Sequence, residues 1–101
     1  MRETDIAGLE AALEDGATLV DVREPDEYAE GHVPGARPIP MGQLPARLGE
    51  LDRERPVFVI CASGNRSSAM AEVLDQAGFD AVNVAGGTGA WQRSGRPVQT
   101  R

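Results

Sequence analysis

Lysine is absent from this chain of 101 residues, and every one of its ten basic residues is an arginine. That absence excludes Schiff-base chemistry on a lysine amine and the phosphate-binding lysine of a P-loop. There is one cysteine, which permits no internal disulfide and no all-thiolate metal cage within one chain. There is one histidine, and only four residues are aromatic, so the core must rest on aliphatic packing. No stretch approaches the ~20 apolar residues of a membrane-spanning helix. Positive charge is also short: sixteen acidic residues against ten basic ones give a formal net charge of -6. Nucleic-acid binding through a basic face is therefore not expected, and neither is a membrane partner. Residues Met1 to Asp5 lead into acidic, amphipathic sequence without the charged-then-apolar pattern of a secretory signal, so the expected location is the cytoplasm.

What is present fits one domain with one modest core, residues 1–101, its core from about 5 to 98. From Thr4 to Leu13 the apolar residues Ile6, Leu9, Ala12 and Leu13 recur at helical spacing, with Thr4 or Asp5 as N-cap and Gly16 as the stop. Thr18 to Val22 is a short β-branched run that reads as a buried strand. Pro25 suits the first turn of a short helix through Tyr28 and Ala29. Gly31 to Ala36 reads as a rigid loop, Ile39 as a brief edge pairing between two prolines, and about Gln43 to Leu51 as a helix. Val57 to Ile60 is apolar on both faces, as an inner strand of a parallel sheet must be, and it runs directly into Cys61. A short loop, Ala62 to Asn65, leads to a helix over Arg66 to Ala77 with Ala69, Met70, Val73, Leu74 and Ala77 as its apolar stripe. Ala81 to Val84 forms another strand, and Gly86-Gly87-Thr88-Gly89 opens a last helical turn that carries Trp91. Strands alternating with helices predict an α/β parallel sheet.

A loop that leaves an inner strand and enters a helix aims its backbone N–H groups at its own centre, where the helix N-terminus adds partial positive charge. A cysteine at the start of such a loop has its thiolate favoured over its thiol, which makes Cys61 a candidate nucleophile. Arg66 closes the loop with a permanent cation and a planar fork suited to an oxyanion, and Ser67 and Ser68 add hydroxyl donors. The alternative for a lone cysteine at a strand end is a plain buried core residue.

Cys61-Ala62-Ser63-Gly64-Asn65-Arg66-Ser67 resembles the active-site loop of rhodanese-type sulfurtransferases. Asp21-Val22-Arg23-Glu24, followed by Tyr28 and by Gly31-His32-Val33-Pro34-Gly35-Ala36, resembles the family's N-terminal signature. Gly86 to Trp91 with Gly95-Arg96-Pro97-Val98 resembles its C-terminal one, and the likeness runs from about Asp5 to Val98. The resemblance implies a three-layer domain with a central parallel sheet of about five short strands flanked by helices. It implies transfer of a sulfane sulfur from a small anionic donor such as thiosulfate to cyanide, a small thiol or a protein thiol, through a persulfide on Cys61. Ala62, Ser63, Gly64, Asn65, Arg66 and Ser67 would bind the donor, with no metal, flavin or nucleotide required.

Two other readings compete. Cysteine phosphatases and arsenate reductases use the same cradle, but with five residues between Cys and Arg where this chain has four, and no residue stands out as a general acid. A persulfide carrier or binding module acting only with protein partners would share every motif. Outside the loop, His32 reads as structural, its ring bonding to loop backbone, and Trp91 as a core anchor. Asp21 and Arg23 can pair with each other or with neighbouring loops. Gly86 to Gly89, with no lysine after it, reads as a tight turn beside the active site.

Overall fold

The computed structural model describes residues 1–101. Five strands form one parallel sheet: β1 (Arg2–Thr4), β2 (Thr18–Asp21), β3 (Arg37–Pro38), β4 (Val57–Ile60) and β5 (Ala81–Val84), in the spatial order β1-β5-β4-β2-β3. The helices are α1 (Ile6–Glu14), α2 (Pro25–Glu30), α3 (Asn65–Gln76) and α4 (Gly87–Arg93). Strand alternation sends side chains to two separate cores, one on each face. Val20, Val57, Val59, Cys61 and Ala81 pack with Leu44, Leu51, Ala71 and Leu74 on the α3 face. Leu19, Ile60 and Val84 pack with Ile6, Leu9 and Trp91 on the face of α1 and α4. Helices therefore cover both faces of the sheet, the three-layer α/β arrangement expected from the sequence.

Several boundaries differ from the sequence reading. Residues Arg2 to Thr4 form the edge strand β1, which pairs with β5 and was not expected, while the first helix begins at Ile6, as the Asp5 alternative for its cap requires. Asp5 is its N-cap, its carboxylate accepting from the Gly8 amide at 2.8 Å. The edge pairing expected at Ile39 falls instead on Arg37 and Pro38. Ile39 still donates its amide to the Asp21 carbonyl, but its side chain is fully buried. The helix expected from Gln43 is a 3₁₀ segment, Met41–Glu50, with a break at Arg47. Pro45 has no amide to give an α-helical ladder, and the short apolar repeat cannot compensate. On α3 the buried face is Ser67, Ala71 and Leu74, flanked by Met70 and Ala77, whereas Ala69 faces solvent. The helix starts one residue earlier than expected, so the stripe is read correctly only from the serine that faces the sheet.

At the C-terminal end of β2 lies a buried ion pair. The Arg23 guanidinium donates to both carboxylate oxygens of Asp21, with Nη2 to Oδ2 at 2.8 Å, and Nη2 also donates to the Gly31 carbonyl at 2.9 Å. Asp21 is wholly buried and Arg23 nearly so, so each neutralises the other's desolvation while tying β2 to the loop after α2. The pairing serves both alternatives read from the sequence at once. Replacing Arg23 by alanine strands a buried carboxylate and should cost about 3–5 kcal/mol of stability. Urea unfolding of the variant measures this; a loss below 1 kcal/mol would show that the pair contributes little.

Candidate active site

Strand β4 ends at Ile60, and Cys61 follows at the carboxyl edge of the sheet with only 1% of its surface exposed. The chain then turns through Ala62 and Ser63 to Gly64, which adopts a left-handed backbone (φ 109°) that a residue with a Cβ rarely takes, and α3 starts at Asn65. Gly64 is the helix N-cap and has no side chain to offer, so the sulfur takes over the role of capping group. The Gly64 amide donates to Cys61 Sγ at 3.1 Å, and the Ser67 hydroxyl lies 3.3 Å from the same atom. Burial pushes the Cys61 thiol pKa up. The Ser67 hydroxyl, when its proton is turned to sulfur, and the amides of Ser67, Gly64 and Ser63 favour the thiolate, and the direction with these bonds made is a pKa below that of an ordinary thiol.

The back of the loop is fastened by the turn at the start of α4. Thr88 donates its amide to the Cys61 carbonyl at 2.8 Å and Gly89 to the Ala62 carbonyl at 3.0 Å. Gly87 lies so close that a Cβ there would come within 2.5 Å of the Cys61 carbonyl oxygen. The glycine run is thus a tight turn against the loop, as the sequence reading expected.

Arg66 closes the loop, and its guanidinium is already engaged. Its Nη1 and Nη2 donate to the two carboxylate oxygens of Glu27 on α2, at 2.8 and 2.9 Å. The Arg66 hydrogen bonds hold the Glu27 carboxyl at about 2, well below the usual carboxylate range, helped by the Glu24 amide. Glu27 is half of a capping box with Glu24, which fixes its position at the N-terminus of α2. Nothing in the sequence marks Glu27 as the partner of a residue 39 positions on; only the fold brings the two together.

Of the predicted site residues, Ser63, Gly64 and Asn65 line a depression of about 210 Å³ that also touches Glu3, Ser68 and Asn83. Cys61, Ala62, Arg66 and Ser67 line neither this depression nor the larger one of about 440 Å³. The larger is lined by Tyr28 of α2 together with Arg23, Pro38, Pro40 and Arg101. Asn83 was missed by the sequence reading, although a polar residue inside the apolar run Ala81 to Val84 was the available signal. It sits buried on β5 and accepts from the Ser67 hydroxyl at 2.6 Å.

His32 stacks on Tyr28 with ring centroids 3.6 Å apart, and its Nδ1 bonds the Tyr28 carbonyl at 2.8 Å. Its contacts are those of a structural residue, as expected, but the ring bonds the backbone of α2 and not that of the loop. Trp91 is buried, its indole N–H donating to the Pro97 carbonyl at 2.7 Å. No helix is long and apolar enough to cross a membrane.

The family model described as Rhodanese-like domain matches residues 5–94. The chain is 39% identical over 101 residues to a protein of Allochromatium vinosum named Sulfurtransferase, covering 97% of this chain and 94% of that one. It is equally 39% identical over 99 residues to the protein YtwF of Bacillus subtilis, covering 96% of each. A rhodanese-related protein of Thermoplasma volcanium, known from its crystal structure, superposes with a TM-score of 0.93 at 37% identity over the whole of both chains.

The Glu27–Arg66 pair gives a test in acid. Because the Glu27 pKa is depressed in the folded chain, its contribution to stability is complete above the ordinary carboxylate pKa and is lost as pH falls toward about 2. The Glu27 carboxyl should therefore titrate near 2 by carbon-detected NMR in the native chain, and move up toward the ordinary range in Arg66→Ala, where the Glu24 amide still favours the carboxylate. An ordinary midpoint in the wild type would show that the pair does not hold in solution.

Proposed function

Because the chain belongs to the rhodanese-like family, we propose that it is a sulfurtransferase that carries a sulfane sulfur as a persulfide on Cys61, with thiosulfate as a competent donor. The observation that carries this reading is the sulfur of Cys61, ringed by the Gly64 amide and the Ser67 hydroxyl at the start of α3. The lowered thiol pKa raises the fraction of Cys61 present as the attacking thiolate, and no separate general base is assigned.

In the first step the Cys61 thiolate attacks the outer sulfur of thiosulfate. A bond forms between Sγ and that sulfur, the sulfur–sulfur bond of the donor breaks, and sulfite leaves with the electron pair. The new terminal sulfur carries negative charge, which the loop amides stabilise. In the second step the acceptor, which is cyanide, a small thiol or a protein thiol, attacks the terminal sulfur, and the Cys61 thiolate departs. Arg66 serves the anionic donor: a guanidinium has five N–H groups, and Glu27 occupies only two of its nitrogens from one side. The four residues between Cys61 and Arg66 make a tight ring of donors that suits one sulfur atom on the thiolate better than a phosphoryl group in line with it.

Steady-state assay with thiosulfate and cyanide tests the reading. The wild type should turn over, Cys61→Ser should not, and Arg66→Ala should lose roughly tenfold to a hundredfold in kcat/KM for thiosulfate, as loss of a charged hydrogen bond implies. Aryl phosphates should not be hydrolysed. Turnover by a folded Cys61→Ser variant, or phosphatase activity without sulfur transfer, would overturn the assignment.

A further inference from the structure

The Ser67 hydroxyl lies between two acceptors, Cys61 Sγ at 3.3 Å and Asn83 Oδ1 at 2.6 Å, and it has one proton to give. Which acceptor receives it is decided farther out. Strand β1 pairs with β5 so that Glu3 stands directly opposite Asn83, and Asn83 Nδ2 donates to Glu3 Oε2 at 2.9 Å. A carboxylate only accepts, so the amide must turn its Nδ2 toward Glu3 and its Oδ1 toward Ser67. Two oxygens 2.6 Å apart, one of them an amide carbonyl, require the hydroxyl proton between them. In this arrangement the Ser67 proton points away from sulfur, and the lone pairs of Oγ face Sγ, where they can accept from a thiol S–H.

We infer that Glu3 is a positioning residue for Cys61: by orienting Asn83 it holds the Ser67 proton off the sulfur, so the thiolate gains that hydrogen bond only when the hydroxyl rotates. Rotation leaves Asn83 Oδ1 without its donor, which is costly because Asn83 is only 2% exposed and Ser67 fully buried. The amides of Gly64, Ser63 and Ser67 stabilise the thiolate in either arrangement. Without Glu3, the Asn83 amide is free to flip, donate Nδ2–H to Ser67 Oγ, and release the hydroxyl proton to sulfur at no cost to Asn83. Glu3 thus restrains the nucleophile, and the short N-terminal strand has a role in the chemistry.

The charged groups around Cys61 come from four elements: Arg66 on α3, Glu27 on α2 bound to it, the Asp21–Arg23 pair at the end of β2, and Glu3 on β1. Removing Glu3 also removes a negative charge, which alone favours the thiolate. The test must separate the two effects. The inference rests on Cys61 as the reacting group, but titration reads its proton whether or not sulfur is transferred, so the two claims fail independently.

The thiolate ultraviolet absorbance of the only cysteine, followed against pH in wild type, Glu3→Ala, Ser67→Ala and the double variant at high salt, is the experiment. Glu3→Ala should lower the Cys61 pKa by about one pH unit, the size of a hydrogen bond gained by an ionised group. In the Ser67→Ala background the same substitution should shift it by much less, because only the salt-screened charge effect remains. An equal shift in both backgrounds, no shift in either, or an upward shift in Glu3→Ala would overturn the inference.

Discussion

Moving a thiolate out of water costs free energy, and the sulfur of Cys61 sits in a residue that is 1% exposed. The site works only if the chain returns that cost through fixed donors. It does so with the amides of Gly64 and Ser67, which would otherwise be orphans at the open end of α3, and with that of Ser63 just before it. The need of a helix for a cap and the need of a buried anion for donors are met by one contact set. Because the donors belong to backbone held in place before any substrate arrives, no reorganisation is needed as negative charge develops on sulfur.

The rest of the fold holds that loop still. The turn at Gly87 to Gly89 binds the carbonyls of Cys61 and Ala62 from behind, so the loop cannot slide toward β5. On the other side, Glu27 grips the closing arginine from α2, whose own end is fixed by the His32–Tyr28 stack and by the Arg23 bond to the Gly31 carbonyl. The motifs at either end of the chain are therefore braces for the central one. They are distant in sequence because the order β1-β5-β4-β2-β3 places β4 between β5 and β2, flanking the cysteine with elements from both halves.

The cysteine-bearing loop and the α/β class were legible in the sequence because each is a local pattern: an apolar strand, a small-residue loop and an amphipathic helix in succession. The structural roles of His32 and Trp91 were legible too, since a lone ring inside a proline-bounded loop or a terminal turn has little else to do. What escaped was non-local. The strand Arg2–Thr4 is too short and polar to carry a pattern of its own, and it exists because β5 needs an edge partner. Glu27 carries no signal in the sequence, and its bond to Arg66 exists only because the fold brings α2 beside the start of α3. The 3₁₀ segment at Met41–Glu50 is not the helix expected from about Gln43 to Leu51: Pro45 falls inside the segment, where its missing amide interrupts an α-helical ladder.

The claim on which all of this depends is that Cys61 holds a transferable sulfur. Intact mass after incubation with thiosulfate and removal of excess donor tests it most directly. The account predicts the addition of one sulfur atom, reversed by cyanide or a reducing thiol and absent in Cys61→Ser. A wild-type mass unchanged by thiosulfate, or an adduct that persists in Cys61→Ser, would contradict it.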